Sequence, residues 1–325
     1  MGADVHVILL EEIRPEHASL VGRKAEVLAT LMQAGFPVPA GFAVTSAARD
    51  AYLRDANLSN KLTELLDDLD FNDATALKRA SGLAVRSIAE LDDRRPCPND
   101  VCAIYERFGG GSVAVRSSVT GDDDDGPLSA GSPAAFLNVS GVDELWTAIR
   151  ACWASAFQPE ALHYRAQCGD RNAAAIAVFV QRMVQSGRAG TASTIDPLSH
   201  EHDTIVIEAV YGLGAAHASG QVTPDMYAVD TASLAVLRRT VVDQPRELVH
   251  AAATTDSVSH NEWRAIPAER RTRPKLNDAE IARLAEIVRR IERQYETPQS
   301  IAWVEENGEF HVVGSRPVTT LAHTH

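Results

Sequence analysis

Residues 113–120 carry side chains suited to chemistry with a phosphate group. Apolar residues lead to Arg116, which is followed by the hydroxyl side chains of Ser117, Ser118 and Thr120. The pattern predicts a strand that brings a cation and hydroxyl donors to its own end. A guanidinium is always charged, and its planar fork matches phosphate oxygens. Taken alone, the segment favours the simpler alternative of a buried strand with a solvated arginine.

The apolar pattern predicts the elements that would position this segment. Helical spacing predicts helices over residues 19–34, 47–91, 144–156, 159–167 and the segment opened by the capping box at Asn277. Strands are predicted over residues 113–116, 174–184, 204–210 and 226–229, with a hairpin of 301–304 and 310–313. Residues 234–268 are hairpin-like and polar. Helices mixed with antiparallel strands predict an α+β protein with two lobes.

Composition limits the classes of partner. The 325 residues are 45% hydrophobic and 23% charged, which is typical of a soluble globular chain. A net charge of -13 argues against nucleic acid or an anionic membrane as the main partner, because both need a basic surface. A polyanionic ligand must therefore be held by a local basic cluster. The acidic run at residues 122–125 is interpreted as a solvated loop.

The cysteines and the N-terminus indicate the compartment. Cys97, Cys102, Cys152 and Cys168 lack the spacing of a metal site and are interpreted as reduced thiols. The chain shows neither a signal-peptide pattern nor an apolar run of about 18 residues that could span a membrane. The sequence thus predicts a soluble, cytoplasmic protein.

Short motifs along nearly the whole chain occur in the same order in one known family. They are Gly22-Arg23-Lys24-Ala25, Ala34-Gly35-Phe36-Pro37-Val38-Pro39, Arg116-Ser117-Ser118, Cys152-Trp153-Ala154-Ser155, Val180-Gln181-Arg182-Met183-Val184, Ile207-Glu208-Ala209, Gly212-Leu213-Gly214, Val222-Thr223-Pro224-Asp225 and Ser315-Arg316-Pro317-Val318-Thr319. With them the chain resembles the ATP-binding domain shared by phosphoenolpyruvate synthase, pyruvate phosphate dikinase and rifampin phosphotransferase. The resemblance implies an ATP-grasp fold, with nucleotide between an N-terminal lobe of residues 1–184 and a C-terminal lobe of residues 185–325.

The resemblance assigns three cations to the phosphates of ATP. Lys24 matches the family's phosphate-contacting lysine, and Arg316 matches the arginine that the family aims at the terminal phosphates. Phosphoryl transfer needs positive charge around the triphosphate, so Arg116 and Arg316 are the predicted catalytic residues. The three charged ends are expected to converge on one cleft between the lobes. Without the resemblance, Lys24 would be interpreted as a surface lysine in the first turn of a helix.

Three further residues are predicted to contact the nucleotide. Gln181 and Met183 lie where the family's inter-lobe strand meets adenine, although core strand residues would look the same. Glu208 precedes the glycine loop and is expected to hold ribose or orient that loop. The alternative for Glu208 is a buried carboxylate paired with Arg116 or another arginine.

The departures from the family concern its metal ligands. The family has Asp-Ile-Glu-Trp where this chain has Ser300-Ile301-Ala302-Trp303, and Gly314 replaces a glutamine. Alanine and glycine offer no side-chain oxygen to magnesium, so no metal ligand is predicted and a magnesium requirement is doubtful. Glu306 lies about 13 Å past Ala302 along a strand, and Glu305 is expected to point to the opposite face. The phosphate loop at residues 128–135 and the position of Ala215 have also lost polar groups.

Two hypotheses follow. The first is a binding protein for a nucleotide or another phosphorylated small molecule, with impaired magnesium-dependent catalysis. The second is the ATP-binding half of a split phosphotransferase, which acts on a small molecule or on a separate phosphohistidine swivel-domain protein. None of the eleven histidines lies in a context that resembles the swivel-domain motif. Complete turnover within this chain is therefore not expected.

Overall fold

The protein is described from a computed structural model, which places residues 5–67, 69–89, 96–120, 135–169, 175–196, 203–251 and 261–318. Helices and antiparallel sheets confirm the α+β class. Packing divides the chain into two compact units: residues 1–29 with 40–183, and residues 30–39 with 184–325. The boundary between an N-terminal and a C-terminal lobe at 184/185 stays a prediction. Within the placed segments, no helix is long and apolar enough to cross a membrane.

The first unit contains a five-stranded antiparallel sheet in the order β1-β2-β5-β3-β4. The strands are β1 Val7–Leu9, β2 Gly41–Val44, β3 Val113–Val119, β4 Ala135–Val139 and β5 Ile176–Arg182. One face of the sheet packs into a hydrophobic core through side chains such as Phe42, Val115 and Val180. Apolar burial of this kind stabilises by about 25 cal/mol per Å². The core therefore fixes which side chains of β3 face away from it.

Among its placed residues, the first part of the chain forms seven helices. They are α1 Ala18–Gln33, α2 Ser46–Asp55, α3 Ser59–Asp67, α4 Ala74–Ala89, α5 Asn99–Arg107, α6 Val142–Ala154 and α7 Pro159–Gln167. The segment predicted to be helical, residues 47–91, forms three separate helices among its placed residues. Asn57 is left-handed, with φ 57°, and ends α2. Asp73 then accepts hydrogen bonds from the amides of Thr75 and Ala76 and caps the start of α4.

The second unit contains a six-stranded antiparallel sheet in the order β13-β12-β6-β7-β8-β9, and the separate hairpin β10-β11. The strands are β6 Arg188–Ser193, β7 Thr204–Tyr211, β8 Asp225–Asp230, β9 Val236–Thr240, β10 Arg246–His250, β11 Asn261–Ala265, β12 Gln299–Glu306 and β13 Glu309–Pro317. Its helices are α8 Ala215–Ala218, α9 Ala268–Arg271 and α10 Asp278–Tyr295. The apolar side of α10 is buried through Ile281, Leu284, Val288 and Ile291.

Two local predictions in the second unit are confirmed. The side chain of Asn277 accepts from the amide of Glu280, whose carboxylate accepts from the amide of Asn277. At the hairpin between β12 and β13, Asn307 and Gly308 both have positive φ, at 54° and 86°. A tight two-residue turn between antiparallel strands requires positive φ at both of its central residues.

A buried ion pair joins β8 to the segment before α10. Lys275 Nζ donates to Asp225 Oδ1 at 2.7 Å and to the carbonyl oxygen of Val242 at 2.6 Å, and both charged side chains are fully buried. Asp225 Oδ2 also accepts from the Tyr227 hydroxyl at 2.8 Å and from the Lys275 amide at 2.9 Å. The carboxylate is therefore paired and hydrogen-bonded, as a buried charge must be.

Candidate functional site

A break in α1 determines how the N-terminal motif meets β3. Gly22 has φ 71° and ψ 162°, which interrupts the helix. A Cβ at this position would lie 2.5 Å from Ser118 Oγ and 2.5 Å from the carbonyl oxygen of Val119. Only glycine fits both the backbone angle and the space. The Gly22 backbone therefore lies directly against the end of β3.

Lys24 joins the same two motifs by a hydrogen bond. Its Nζ donates to the carbonyl oxygen of Ser117 at 2.9 Å, across 93 residues of sequence. Lys24 is half-buried, so its ammonium is held near β3 by a fixed backbone contact. In the first unit the structure thus brings together Gly22, Lys24 and the Arg116-Ser117-Ser118 segment.

Arg116 lies on the face of β3 that does not point into the hydrophobic core. Side chains alternate along a strand, so Arg116 shares its face with Ala114 and Ser118 while Val115 packs into the core. Its cross-strand neighbours are Phe179 on β5 and Ala135 on β4. Burial lowers the pKa of Arg116, but an arginine stays protonated in proteins. Arg116 is half-buried, and a partly desolvated cation attracts an anion more strongly than a fully solvated one.

Gln181 and Met183 lie at the end of β5. Gln181 is 1% exposed and lies between Gly41 on β2 and Ala114 on β3. Met183 follows the strand, and its amide donates to the carbonyl oxygen of Ser112 at 3.0 Å. Such positions are equally expected of core strand residues, so contact with adenine stays a prediction.

In the second unit, Glu208 belongs to a polar cluster with Thr191 and His217. The Thr191 hydroxyl donates to Glu208 Oε2 at 2.6 Å, and His217 Nε2 lies 3.2 Å from the same oxygen. The hydrogen bond from His217 lowers the pKa of Glu208, against the effect of burial, and Thr191 adds to the lowering. Among the placed residues, this carboxylate contacts a threonine and a histidine rather than the arginine of the alternative interpretation.

Sequence reasoning missed His217. It lies on α8, only three residues after Gly214 of the glycine loop. That short spacing could have identified His217. The glycine loop turns beside Glu208, so the residues that follow the loop pass close to the same carboxylate.

The positions expected to hold magnesium lie on the same sheet face as Glu208. Ala302 on β12 lies opposite Gly314 on β13 and opposite Thr191 on β6. In antiparallel strands, directly opposite side chains share a face. Thr191 contacts Glu208 on β7, so Gly314, Ala302, Thr191 and Glu208 form one row across four strands.

Arg316 lies two residues beyond Gly314 on β13 and is exposed. It is opposite Ser300 on β12, which is opposite Ser193 on β6. The structure therefore places Arg316 in the row next to the Ala302–Gly314 pair. Lys24 and Arg116 belong to the first unit, and Arg316 and Glu208 to the second. The convergence of the three cations stays a prediction.

The two glutamates that lie closest to Ala302 along β12 have other hydrogen-bond partners. Glu305 is 6% exposed and, as predicted, points to the opposite face, where its Oε2 accepts from Arg188 Nε at 2.8 Å. Glu306 Oε1 accepts from the amide of Gln185 at 2.7 Å. Among the placed residues, no group of three or more His, Cys, Asp or Glu side chains could hold a metal ion. Residues 122–125 and 128–132 lie outside the described part of the chain.

Comparison with known proteins gives the family. The model of the pyruvate phosphate dikinase, AMP/ATP-binding domain matches residues 18–325. A probable phosphoenolpyruvate synthase of Methanothermobacter thermautotrophicus is 36% identical over 327 residues, which cover 97% of this chain and 46% of that protein. A rifampicin phosphotransferase of Streptomyces sviceus is 36% identical over 328 residues, covering 97% of this chain and 36% of that protein.

The chain thus spans less than half the length of these two curated relatives. Among solved structures, D-alanine–D-alanine ligase from Bacillus anthracis complexed with ATP covers 94% of this chain and 67% of its own, with 11% identity and a TM-score of 0.27. So low a score carries no argument about the fold. The sequence matches are decisive by themselves, and the chain belongs to the family of the pyruvate phosphate dikinase AMP/ATP-binding domain.

Proposed function

We propose that the chain binds an adenine nucleotide through Lys24, Arg116 and Arg316, with Gln181, Met183 and Glu208 at its adenine and ribose, and that magnesium-dependent catalysis is impaired. One observation carries the second part of the proposal. The residues that face each other where the family would have metal oxygens are Ala302 and Gly314, and neither side chain can bind a cation.

The cationic part of the family's site is retained. Lys24 is fixed to Ser117 of β3, and Arg116 keeps its charge on the non-core face of the same strand. Positive groups can attract the phosphates of a nucleotide without a metal. Bridging of the phosphates by a metal ion is a major part of phosphoryl transfer, and arginines do not replace it in full. The cations of the site are retained, whereas the oxygens that would hold the metal ion are lost. This combination favours nucleotide binding over phosphoryl transfer.

Calorimetric titration of the whole chain with ATP, ADP and AMP, each with and without Mg²⁺, tests this function. We expect binding that grows with the number of phosphates and changes by less than about threefold when Mg²⁺ is chelated. Binding that appears only with Mg²⁺ would show that the chain holds the metal through other residues. No binding of any of the three nucleotides would contradict the whole proposal.

The length of the relatives favours a second candidate function. The curated relatives extend well beyond the matched region, so the matched residues are one part of those proteins. As the second candidate we propose that the chain acts as the ATP-binding half of a split phosphotransferase, with a separate histidine-bearing protein or a small molecule as acceptor. Transfer of γ-phosphate from labelled ATP to such a protein would support this candidate, and its absence with a bound nucleotide would support binding alone.

A further inference from the structure

We propose that Gln244 is a positioning residue for the nucleotide site. Its buried side-chain amide fixes the glycine loop, residues 212–214, and through that loop the contact between His217 and Glu208. The inference rests on the proposed function, in which Glu208 lies at the ribose, and adds to it a residue that acts through its neighbours. It is carried by the hydrogen bonds and the burial of one side chain in the second unit.

Gln244 does for the end of β7 what a neighbouring strand would do. The pairing of β8 with β7 stops at Ala209 and Asp225, two residues before Tyr211. At Tyr211, Gln244 Oε1 accepts from the backbone amide at 2.9 Å, and Gln244 Nε2 donates to the carbonyl oxygen of the same residue at 3.0 Å. Two such bonds join opposite residues in an antiparallel ladder. The side chain of Gln244 therefore extends the ladder of β7 beyond its pairing with β8.

The position of the Gln244 amide is fixed by its surroundings. Its backbone amide donates to the carbonyl oxygen of Arg271 at 3.0 Å, which ties it to α9. Reversing the side-chain amide would set its NH₂ group against the N–H of Tyr211 and its oxygen against a carbonyl oxygen. Gln244 is 1% exposed, so loss of its amide would leave both backbone groups of Tyr211 buried without these bonds.

The same amide joins the end of β7 to the start of β10. Gln244 Nε2 also donates to the carbonyl oxygen of Arg246, the first residue of β10, at 3.0 Å. Two residues further along β10, the carbonyl oxygen of Leu248 accepts from the amide of Leu213 at 2.8 Å. Strand β10 thus binds the glycine loop directly, and Gln244 holds together the two strands between which the loop lies.

Gly212 lets the glycine loop approach β10 closely. Its φ is 83°, and a Cβ at this position would lie 2.4 Å from the carbonyl oxygen of Leu248. Only glycine permits both the angle and the approach. No gap between loop and strand can absorb a shift of β10 relative to β7, so such a shift must move the loop.

The glycine loop connects this arrangement to Glu208. Strand β7 holds Glu208 three residues before Tyr211, and α8 follows the loop with His217, whose Nε2 lies 3.2 Å from Glu208 Oε2. Both ends of that contact therefore depend on the segment that Gln244 fixes. Supporting contacts of this kind hold a binding residue in its productive geometry.

Hydrogen–deuterium exchange of the nucleotide-free chain tests whether Gln244 fixes the loop. Gln244→Leu keeps a side chain of similar size and removes both of its hydrogen-bonding groups. We expect the amides of Gly212 and Leu213 to exchange at least about tenfold faster in this variant, because the loop opens locally more often. Ile291→Ala is the control: it deletes a buried side chain near the C-terminal end of α10 and should leave the exchange of these two amides unchanged.

Calorimetric titration with ATP tests whether the loop positions the nucleotide site. Gln244→Leu should raise the Kd for ATP at least about fivefold, whereas Ile291→Ala should change it by less than about twofold. The control separates positioning from a general loss of stability, since both variants lose buried contacts of the second unit. Unchanged exchange in Gln244→Leu, or an unchanged Kd despite faster exchange, would overturn the proposal.

Gln244→Glu decides if Gln244→Leu fails to fold. It keeps the acceptor for the Tyr211 amide and loses the donor to the carbonyl oxygens of Tyr211 and Arg246. We expect loop exchange and Kd each to rise at least about threefold, and no rise in either would count against the positioning role. If the parent chain binds no ATP, the nucleotide function and the link to Glu208 fail together, while faster exchange in the variants still supports the fixing of the loop. ATP binding that is indifferent to both variants rejects the positioning role alone.

Discussion

Ala302 and Gly314 lie directly opposite each other on β12 and β13, and a Cβ built on Gly314 would be 3.5 Å from the Cβ of Ala302. That separation is an ordinary van der Waals contact. The backbone of the hairpin therefore has room for a Cβ at position 314 beside that of Ala302.

Restoring the family's residues should restore a response to magnesium. The triple variant Ser300→Asp, Ala302→Glu and Gly314→Gln places two carboxylates and an amide on one face of β12 and β13. We expect Mg²⁺ to strengthen ATP binding about tenfold in this variant, because these oxygens can coordinate the ion. Calorimetry with and without Mg²⁺ measures the effect.

A control for the added charge is Leu237→Asp with Val241→Glu, at two exposed positions on or next to β9. It adds the same negative charge away from the hairpin and should not respond to Mg²⁺. A folded triple variant that binds Mg²⁺-ATP no better than the parent would show that the assignment of these positions is wrong.

Removing the Lys24 ammonium should weaken nucleotide binding more than it weakens the fold. Lys24→Met loses the hydrogen bond to the Ser117 carbonyl oxygen and the positive charge beside β3. We expect the Kd for ATP to rise about 10- to 100-fold and the free energy of unfolding to fall by only about 1 kcal/mol. Lys61→Met, on the exposed side of α3, is the control and should change neither.

Gly22→Ala should destabilise the protein strongly. The new Cβ would lie 2.5 Å from two atoms of β3, and φ of 71° is unfavourable for alanine. We expect a loss of about 2 to 4 kcal/mol in the free energy of unfolding, measured by denaturant titration. Gly82→Ala within α4 has open space around it and should stabilise by about 0.5 to 1 kcal/mol. Equal effects of the two substitutions would contradict the tight approach at Gly22.

The Glu208 cluster predicts a dependence of stability on pH. The hydrogen bond from His217 lowers the pKa of Glu208 in the folded state below its usual value of 4.5. A lowered carboxyl pKa stabilises the fold above the unfolded value, and this contribution is lost as the pH falls through the folded value. Glu208→Gln should therefore flatten the curve of unfolding free energy against pH below about 4.5. Glu64→Gln, at an exposed position of α3, should leave that curve unchanged.

Local sequence signals predicted some elements and missed others for physical reasons. Asn277 and Glu280 cap α10 as expected, because a capping box needs only residues that are close in sequence. Strand β6 was missed because its residues are small or polar and show no apolar alternation; it is a strand because β7 and β12 pair with it on both sides.

The candidate site, too, was only partly predictable from local sequence signals. The sequence singled out Lys24 and Arg116 through a resemblance, but the contact of Lys24 with Ser117 spans 93 residues and depends on the break at Gly22. Of the two partners of Glu208, Thr191 was not predictable from composition or spacing, whereas the spacing of His217 from the glycine loop was a usable signal. Thr191 reaches Glu208 across paired strands, and His217 reaches it from a helix of four residues.

The buried pair of Asp225 and Lys275 has a consequence for synthesis on the ribosome. The two residues are 50 positions apart, and four hydrogen bonds converge on the Asp225 carboxylate once Lys275 is in place. A nascent chain that ends before residue 275 must keep this carboxylate hydrated, because burying it alone would cost several kcal/mol. Strand β8 therefore cannot complete its packing until residue 275 has left the exit tunnel, and the second unit should mature only after the segment that leads into α10 has been synthesised.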